Sequence, residues 1–195
     1  MKHQPFEVGH FYHVFNRGNN KENIFKTEDN YIYFLNLVKK YLLPICDVYS
    51  YCLLSNHFHF IIRIKDFNEL PENFKNGKTK LHQPFSNLFN AYTKAINKKH
   101  QRTGSLFQEH LKRIQINDED YLRNLIVYVN TNPTHHSISN FEDYKYSSYQ
   151  SLISKKDSLL KREEVLNLFN DVENFKYVHK VKKLNIEAIN EYLLE

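Results

Sequence analysis

Apolar positions along the chain fall into two spacings, alternation and threes-and-fours, and these mark out a series of elements. Residues 11–17, FYHVFNR, alternate aromatic or branched residues with polar ones and stop at Gly18, which predicts a strand and a turn. Tyr31, Phe34, Leu35, Val38 and Leu42 recur at helical spacing, with Thr27 or Asp29 as cap and Pro44 as stop. DVYSYCLL (47–54) and HFHFIIRI (57–64) read as two strands joined by Ser55-Asn56, hence an antiparallel hairpin. A loop with one Gly, two Pro and several Asn spans 65–84. A second helix covers 85–100, with Ser86 as N-cap and Phe89, Tyr92 and Ile96 on its stripe.

After Gly104, GSLFQEHLKRIQI predicts a fourth strand. NDEDYLRNLIVYVNTNP predicts a third helix capped by Asn117 or Asp118. Its end is expected near Asn132, because the residue before a proline is driven out of the helical region. YSSYQSLI, a helix KREEVLNLF and a charged tail complete the chain. The order β-α-β-β-α-β-α specifies an α+β fold, a ferredoxin-like split β-α-β sandwich with an antiparallel sheet. Helices are expected on one face of that sheet, leaving the other free for a ligand.

Composition narrows the class. The 195 residues include 41% hydrophobic and 25% charged positions, an ordinary globular balance able to bury a core. No run approaches the roughly eighteen apolar residues of a membrane span, and the N-terminus has no apolar signal-peptide core. Cys46 and Cys52 lie among apolar neighbours outside any metal or redox spacing, as expected of reduced thiols in a cytoplasmic protein. Net charge is +5. The segment 92–113 holds Lys94, Lys98, Lys99, Arg102, Lys112 and Arg113 against the single acid Glu109, a distribution suited to a polyanion or to a solvated basic face.

Within the hairpin, CLLSNHFHFIIRI places His57 and His59 two residues apart, so both imidazoles leave one face of a strand. Two histidines so spaced can share a divalent ion; in a chain with 11 histidines, a half-exposed strand with a polar face is the plain alternative. Tyr128 and Asn132 are one helical turn apart on the third helix. The Asn132 amide could complete a His-His-Asn cation site, and the Tyr128 phenol could reach a phosphate held there. The chemistry would be phosphodiester transesterification with Mg²⁺ or Mn²⁺, Tyr128 being the nucleophile. A phenol with ordinary pKa near 10 needs help to deprotonate, from a cation's field, a water or a base.

These motifs together resemble a known family. NHFHF and YVNTNP, with YHVFNRGNNKENIF, YCLLSNHFHFII, AYTKAINKKHQRTGSLFQEHLKR and YKYSSYQ in this order, are similar to the HUH-type tyrosine transposases, especially the IS200-like and REP-associated tyrosine transposases. The likeness covers roughly residues 8–150. It implies an HUH endonuclease-type catalytic domain over 1–150 and a helical C-terminal extension over 151–195. It further implies that His57 and His59 bind the catalytic metal, that Asn132 is the third ligand, and that Tyr128 cleaves single-stranded DNA near hairpins. The products would be a 5′-phosphotyrosine and a free 3′-OH, and the active form a homodimer. Arg17, Lys94, Lys98, Arg102, Gln108 and Arg113 are the expected DNA contacts.

One departure stands out. The third ligand in the IS200-like group is often Gln rather than the shorter Asn, and Glu109 or His110 are substitutes. Two other functions remain open on the same residues. One is a non-cleaving hairpin DNA- or RNA-binding protein derived from such an enzyme. The other is a zinc hydrolase on His57, His59 and His110, which no HExxH-type motif supports.

Overall fold

The computed structural model describes residues 5–181; positions 182–195 of the expected C-terminal extension lie outside the described residues. In chain order the elements are β1 (Phe11–Arg17), α1 (Glu28–Tyr41), β2 (Cys46–Leu54), β3 (His57–Ile64), the short α2 (Glu72–Lys75), α3 (Gln83–Lys99), β4 (Lys112–Ile116) and α4 (Glu119–His135). Three C-terminal helices follow: α5 (Tyr149–Ile153), α6 (Arg162–Leu168) and α7 (Val172–Val181). The strands form one antiparallel sheet in the order β2-β3-β1-β4. With β1 inserted between the hairpin and β4, this is the split arrangement of the expected α+β class.

Strand alternation gives the sheet two different faces. Phe58, Phe60, Ile62 and Ile64 join Tyr12 and Val14 under α1 and α3, which supply Phe34, Val38, Leu88 and Tyr92. On the opposite face Phe15, Cys52, Leu54 and Ile61 meet Leu125, Ile126 and Val129 of α4, with Tyr149, Leu152 and Phe175 from the C-terminal helices. The expectation of a sheet face left open is therefore corrected. Ile61, Cys52 and Leu54 give that face apolar area of its own, and α4 and the C-terminal helices take it out of water.

Three boundaries also differ from expectation. Helix α3 starts at Gln83, so Ser86 lies inside it; Pro84 occupies the first turn, where its missing N–H costs nothing. The fourth strand begins only at Lys112. Residues upstream turn at Gly104 (φ +82°) and send Leu106 and Phe107 into the first core, with Phe107 bridged to Gly18. Helix α4 does not end before Pro133 but runs to His135. The proline forfeits one backbone donor, and burial of the helix from Leu125 to Pro133 outweighs that loss.

Polar ties fix α4 on the sheet. Asp118 caps it by accepting from the Tyr121 N–H at 2.7 Å. Further along, the Asn130 carbonyl oxygen accepts from Ser50 of β2 (3.2 Å) and Ser148 (2.7 Å). Its amide nitrogen meets His179 Nε2 on α7 at 3.1 Å, and His179 Nδ1 meets the Phe175 carbonyl at 2.7 Å. Since the amide nitrogen can only donate, His179 carries its proton on Nδ1. Cys46 and Cys52 are both free and buried, and burial pushes both thiols up.

Candidate active site

The antiparallel register brings the end of β1 against the start of β3: Arg17 lies opposite His57, and Phe15 opposite His59. His57 and His59 project from the same face, with ring centroids 5.2 Å apart and planes nearly perpendicular. Both are buried. Each has its Nδ1 engaged behind the site. His57 Nδ1 lies 2.6 Å from the side-chain oxygen of Asn56, an acceptor, so the proton sits on Nδ1. His59 Nδ1 lies 2.9 Å from Nε2 of His13. A cation can thus be met only through the two Nε2 atoms.

Helix α4 carries Tyr128 and Asn132. The Tyr128 ring stands edge-on to His59 with centroids 5.8 Å apart, and His135 stacks on its other side at 6.0 Å. Tyr128 is only 2% exposed. One turn later Asn132 is fully buried, and neither its amide oxygen nor its nitrogen has a hydrogen-bond partner among the described residues. A buried amide without partners is costly unless a ligand completes it. Two imidazoles held by their far nitrogens fit a divalent cation; Asn132 does not line the cavity in front of them.

In front of the histidines a cavity of about 110 Å³ is lined by Arg17, Asn56, His57, His59, Lys112 and His136, among others. No carboxylate lines it among the described residues. The His136 ring packs 4.8 Å from that of His57. Lys112 Nζ sits 5.7 Å over the Phe15 ring, and Arg17 Nε is buried without a hydrogen-bond partner among the described residues. Neutral ligands beside two cations make a weak site for a bare metal ion but a good one for an ion arriving with a phosphate.

No family model matches the chain, and no curated protein matches it either. Among solved structures it is similar to a REP-associated tyrosine transposase bound to a REP hairpin. The TM-score is 0.59 at 14% identity, over 80% of this chain and 85% of that one. The likeness is one of fold.

The remaining expected contacts scatter. Gln108 borders the histidine cavity, where its backbone N–H donates to the Arg17 carbonyl (2.9 Å) and its carbonyl accepts from Asn16 (3.2 Å). It also borders a second groove of about 670 Å³ that takes in Arg113, Glu109 and His110. Glu109 and His110 therefore line the groove and not the histidine cavity. No group of three or more His, Cys, Asp or Glu able to hold a metal occurs among the described residues, which gives the zinc-hydrolase alternative no ligand set. Lys94 and Lys98 are exposed on α3 and line neither cavity. Arg102 pairs with Glu22 (2.8 Å) and donates to the Ser105 carbonyl (3.3 Å), which fastens the loop after α3. His13, Asn56 and His136 join the site without being among its candidate residues in the sequence. Asn56 could have been found from its position immediately before His57.

Proposed function

We propose that the protein is a transposase-like enzyme that cleaves and rejoins single-stranded DNA near hairpins, through a 5′-phosphotyrosine on Tyr128. Support comes chiefly from the placing of the Tyr128 ring against His59, on the sheet face that carries His57 and ends in a cationic cavity. The fold shared with a transposase bound to a REP hairpin adds the hairpin as substrate class. His57, His59 and Asn132 would hold Mg²⁺ or Mn²⁺, which when bound neutralises charge developing on the phosphate. Arg17 and Lys112 receive the phosphate oxygens and add positive charge where the transition state gains negative charge. The Tyr128 oxygen attacks phosphorus in line; the bond from phosphorus to the 3′-oxygen breaks, and that oxygen leaves as a free 3′-OH. One proton leaves the phenol and one joins the 3′-oxygen, so the step is proton-neutral overall. The phosphotyrosine retains the ester bond energy, and reversal with another 3′-OH rejoins strands without ATP. The active form is proposed to be a cytoplasmic homodimer.

The burial of Tyr128 favours a second reading. A phenol 2% exposed and outside the cavity wall must move forward before it can attack. A protein that bound hairpins without cutting them would have no need of that movement. Adduct formation separates the two. Incubated with Mn²⁺ and hairpin-flanked single strands, wild type should give an SDS-resistant protein–DNA band that Tyr128→Phe and His57→Ala lack. Undiminished DNA binding with no band in wild type would establish the second reading.

A further inference from the structure

We propose that His13 is a positioning residue of the metal site: its Nε2 accepts the Nδ1–H of His59 and so fixes His59 Nε2 as the ligating nitrogen. The inference rests on the reading that His57 and His59 hold a cation. His13 lies on β1 opposite Ile61, two pairs along from Phe15 opposite His59, and reaches His59 diagonally across the two strands. Its Nε2 is 2.9 Å from His59 Nδ1, with the ring planes only 19° apart, so the hydrogen bond lies close to both ring planes. His13 is completely buried, and Phe15 stacks on it at 4.8 Å, which leaves the ring no freedom to turn away.

Two proton arrangements satisfy this contact, and they differ in consequence. If His13 donates, the proton of neutral His59 is on Nε2, facing any cation. If His13 accepts, His59 carries its proton on Nδ1 and presents a lone pair at Nε2. In the second arrangement the His13 proton sits on Nδ1, which is buried and has no acceptor among the described residues, so without a cation the first arrangement costs less. A cation at Nε2 selects the second. Asn56 serves His57 in the same way, but its oxygen can only accept. The pair is thus held by two neutral acceptors, one fixed and one able to exchange roles. A carboxylate in place of His13 would make His59 a stronger donor and the cation slower to leave. A neutral acceptor keeps the site weak until a phosphate arrives.

The test uses the whole chain and reads metal binding, not activity. Mn²⁺ binding is measured by electron paramagnetic resonance for wild type, His13→Leu, His13→Gln and His59→Ala. The His59 tautomer is read from long-range ¹H–¹⁵N correlation spectra under saturating Mg²⁺. His13→Leu should weaken Mn²⁺ by about 10- to 100-fold, the range for loss of such a partner, and His13→Gln, which restores an acceptor, should recover most of it. His59 in wild type should carry its proton on Nδ1 with Mg²⁺ bound. Wild-type-like Mn²⁺ binding in His13→Leu, with binding lost in His59→Ala, would overturn the role of His13 and leave the metal site standing. Undiminished binding in His59→Ala would instead remove the metal reading itself. Should His13→Leu fail to fold, the wild-type spectra decide: His59 protonated on Nε2 under saturating Mg²⁺ would overturn the proposal, and with it the ligation by Nε2 on which it rests.

Discussion

An amide sealed from solvent with neither atom hydrogen-bonded is expensive, and among the described residues Asn132 holds such an amide. The penalty is about 1–3 kcal/mol for a buried unpaired polar group, and no packing argument recommends Asn there over Leu. Asn132→Leu should therefore raise the urea midpoint of the metal-free protein, by about 1–2 kcal/mol on that scale. The same variant should lose the stabilisation that wild type gains from Mn²⁺. A metal-free stability equal to or below wild type would show that the amide is satisfied in the folded protein. The histidines make a complementary case. His57 and His59 were legible as a same-face pair from alternation alone, and Tyr128 and Asn132 as neighbours from helical spacing. His13 was not, since its value depends on a β1–β3 register that no local pattern specifies.

At the scale of elements, the chain announces most of its strands and helices because each carries one clean periodicity. Where it misleads, tertiary burial has overridden a local rule. Pro133 reads as a stop, yet α4 passes through it because its residues from Leu125 to Pro133 are buried. The open sheet face was expected because a split β-α-β sandwich carries its helices on one side; the apolar residues Phe15, Cys52, Leu54 and Ile61 on the other face call for a cover, and α4 supplies it. That cover is what sets Tyr128 against His59. The junction of β1 with the hairpin is equally constrained. The Gly18 N–H donates to the Asn56 carbonyl at 2.8 Å, and a Cβ on Gly18 would collide with the Glu22 carbonyl. Gly18→Ala should cost about 1–3 kcal/mol, typical of overpacking, and should also weaken Mn²⁺ binding, because Asn56 orients His57. A melt unchanged from wild type would mean that the turn at 19–22 yields freely.

Across the whole molecule, charge and pH give separate handles. The net charge of +5 predicts salt-sensitive DNA affinity. Arg17→Ala should reduce the slope of log K against log salt by about one unit, as loss of one phosphate contact does. Lys94→Ala and Lys98→Ala, remote from both cavities, should change it less. His179 links stability to pH. Burial lowers its pKa from 6.5 to about 4, against a smaller opposing effect of the Phe175 carbonyl. Above pH 6.5 both folded and unfolded chains hold it neutral, and its full contribution is present. As pH falls toward 4 the unfolded chain gains a proton that the folded one refuses, and stability drops by about 3 kcal/mol at 1.36 kcal/mol per unit. Urea midpoints at pH 7 and pH 4.5 should show the loss, and His179→Phe should flatten it; an equal drop in the variant would place the titration elsewhere.

Tyr128 is the residue on which the proposed chemistry depends, and the most direct measurement is the mass of the peptide that carries it. Wild-type protein would be incubated with Mn²⁺ and single-stranded, hairpin-bearing DNA, digested with nuclease and protease, and analysed by mass spectrometry. A nucleotide attached through its 5′-phosphate to Tyr128 is expected, absent in His57→Ala and in EDTA. A nucleotide on any other residue, or cleaved DNA with no protein-bound nucleotide, would contradict the proposed chemistry.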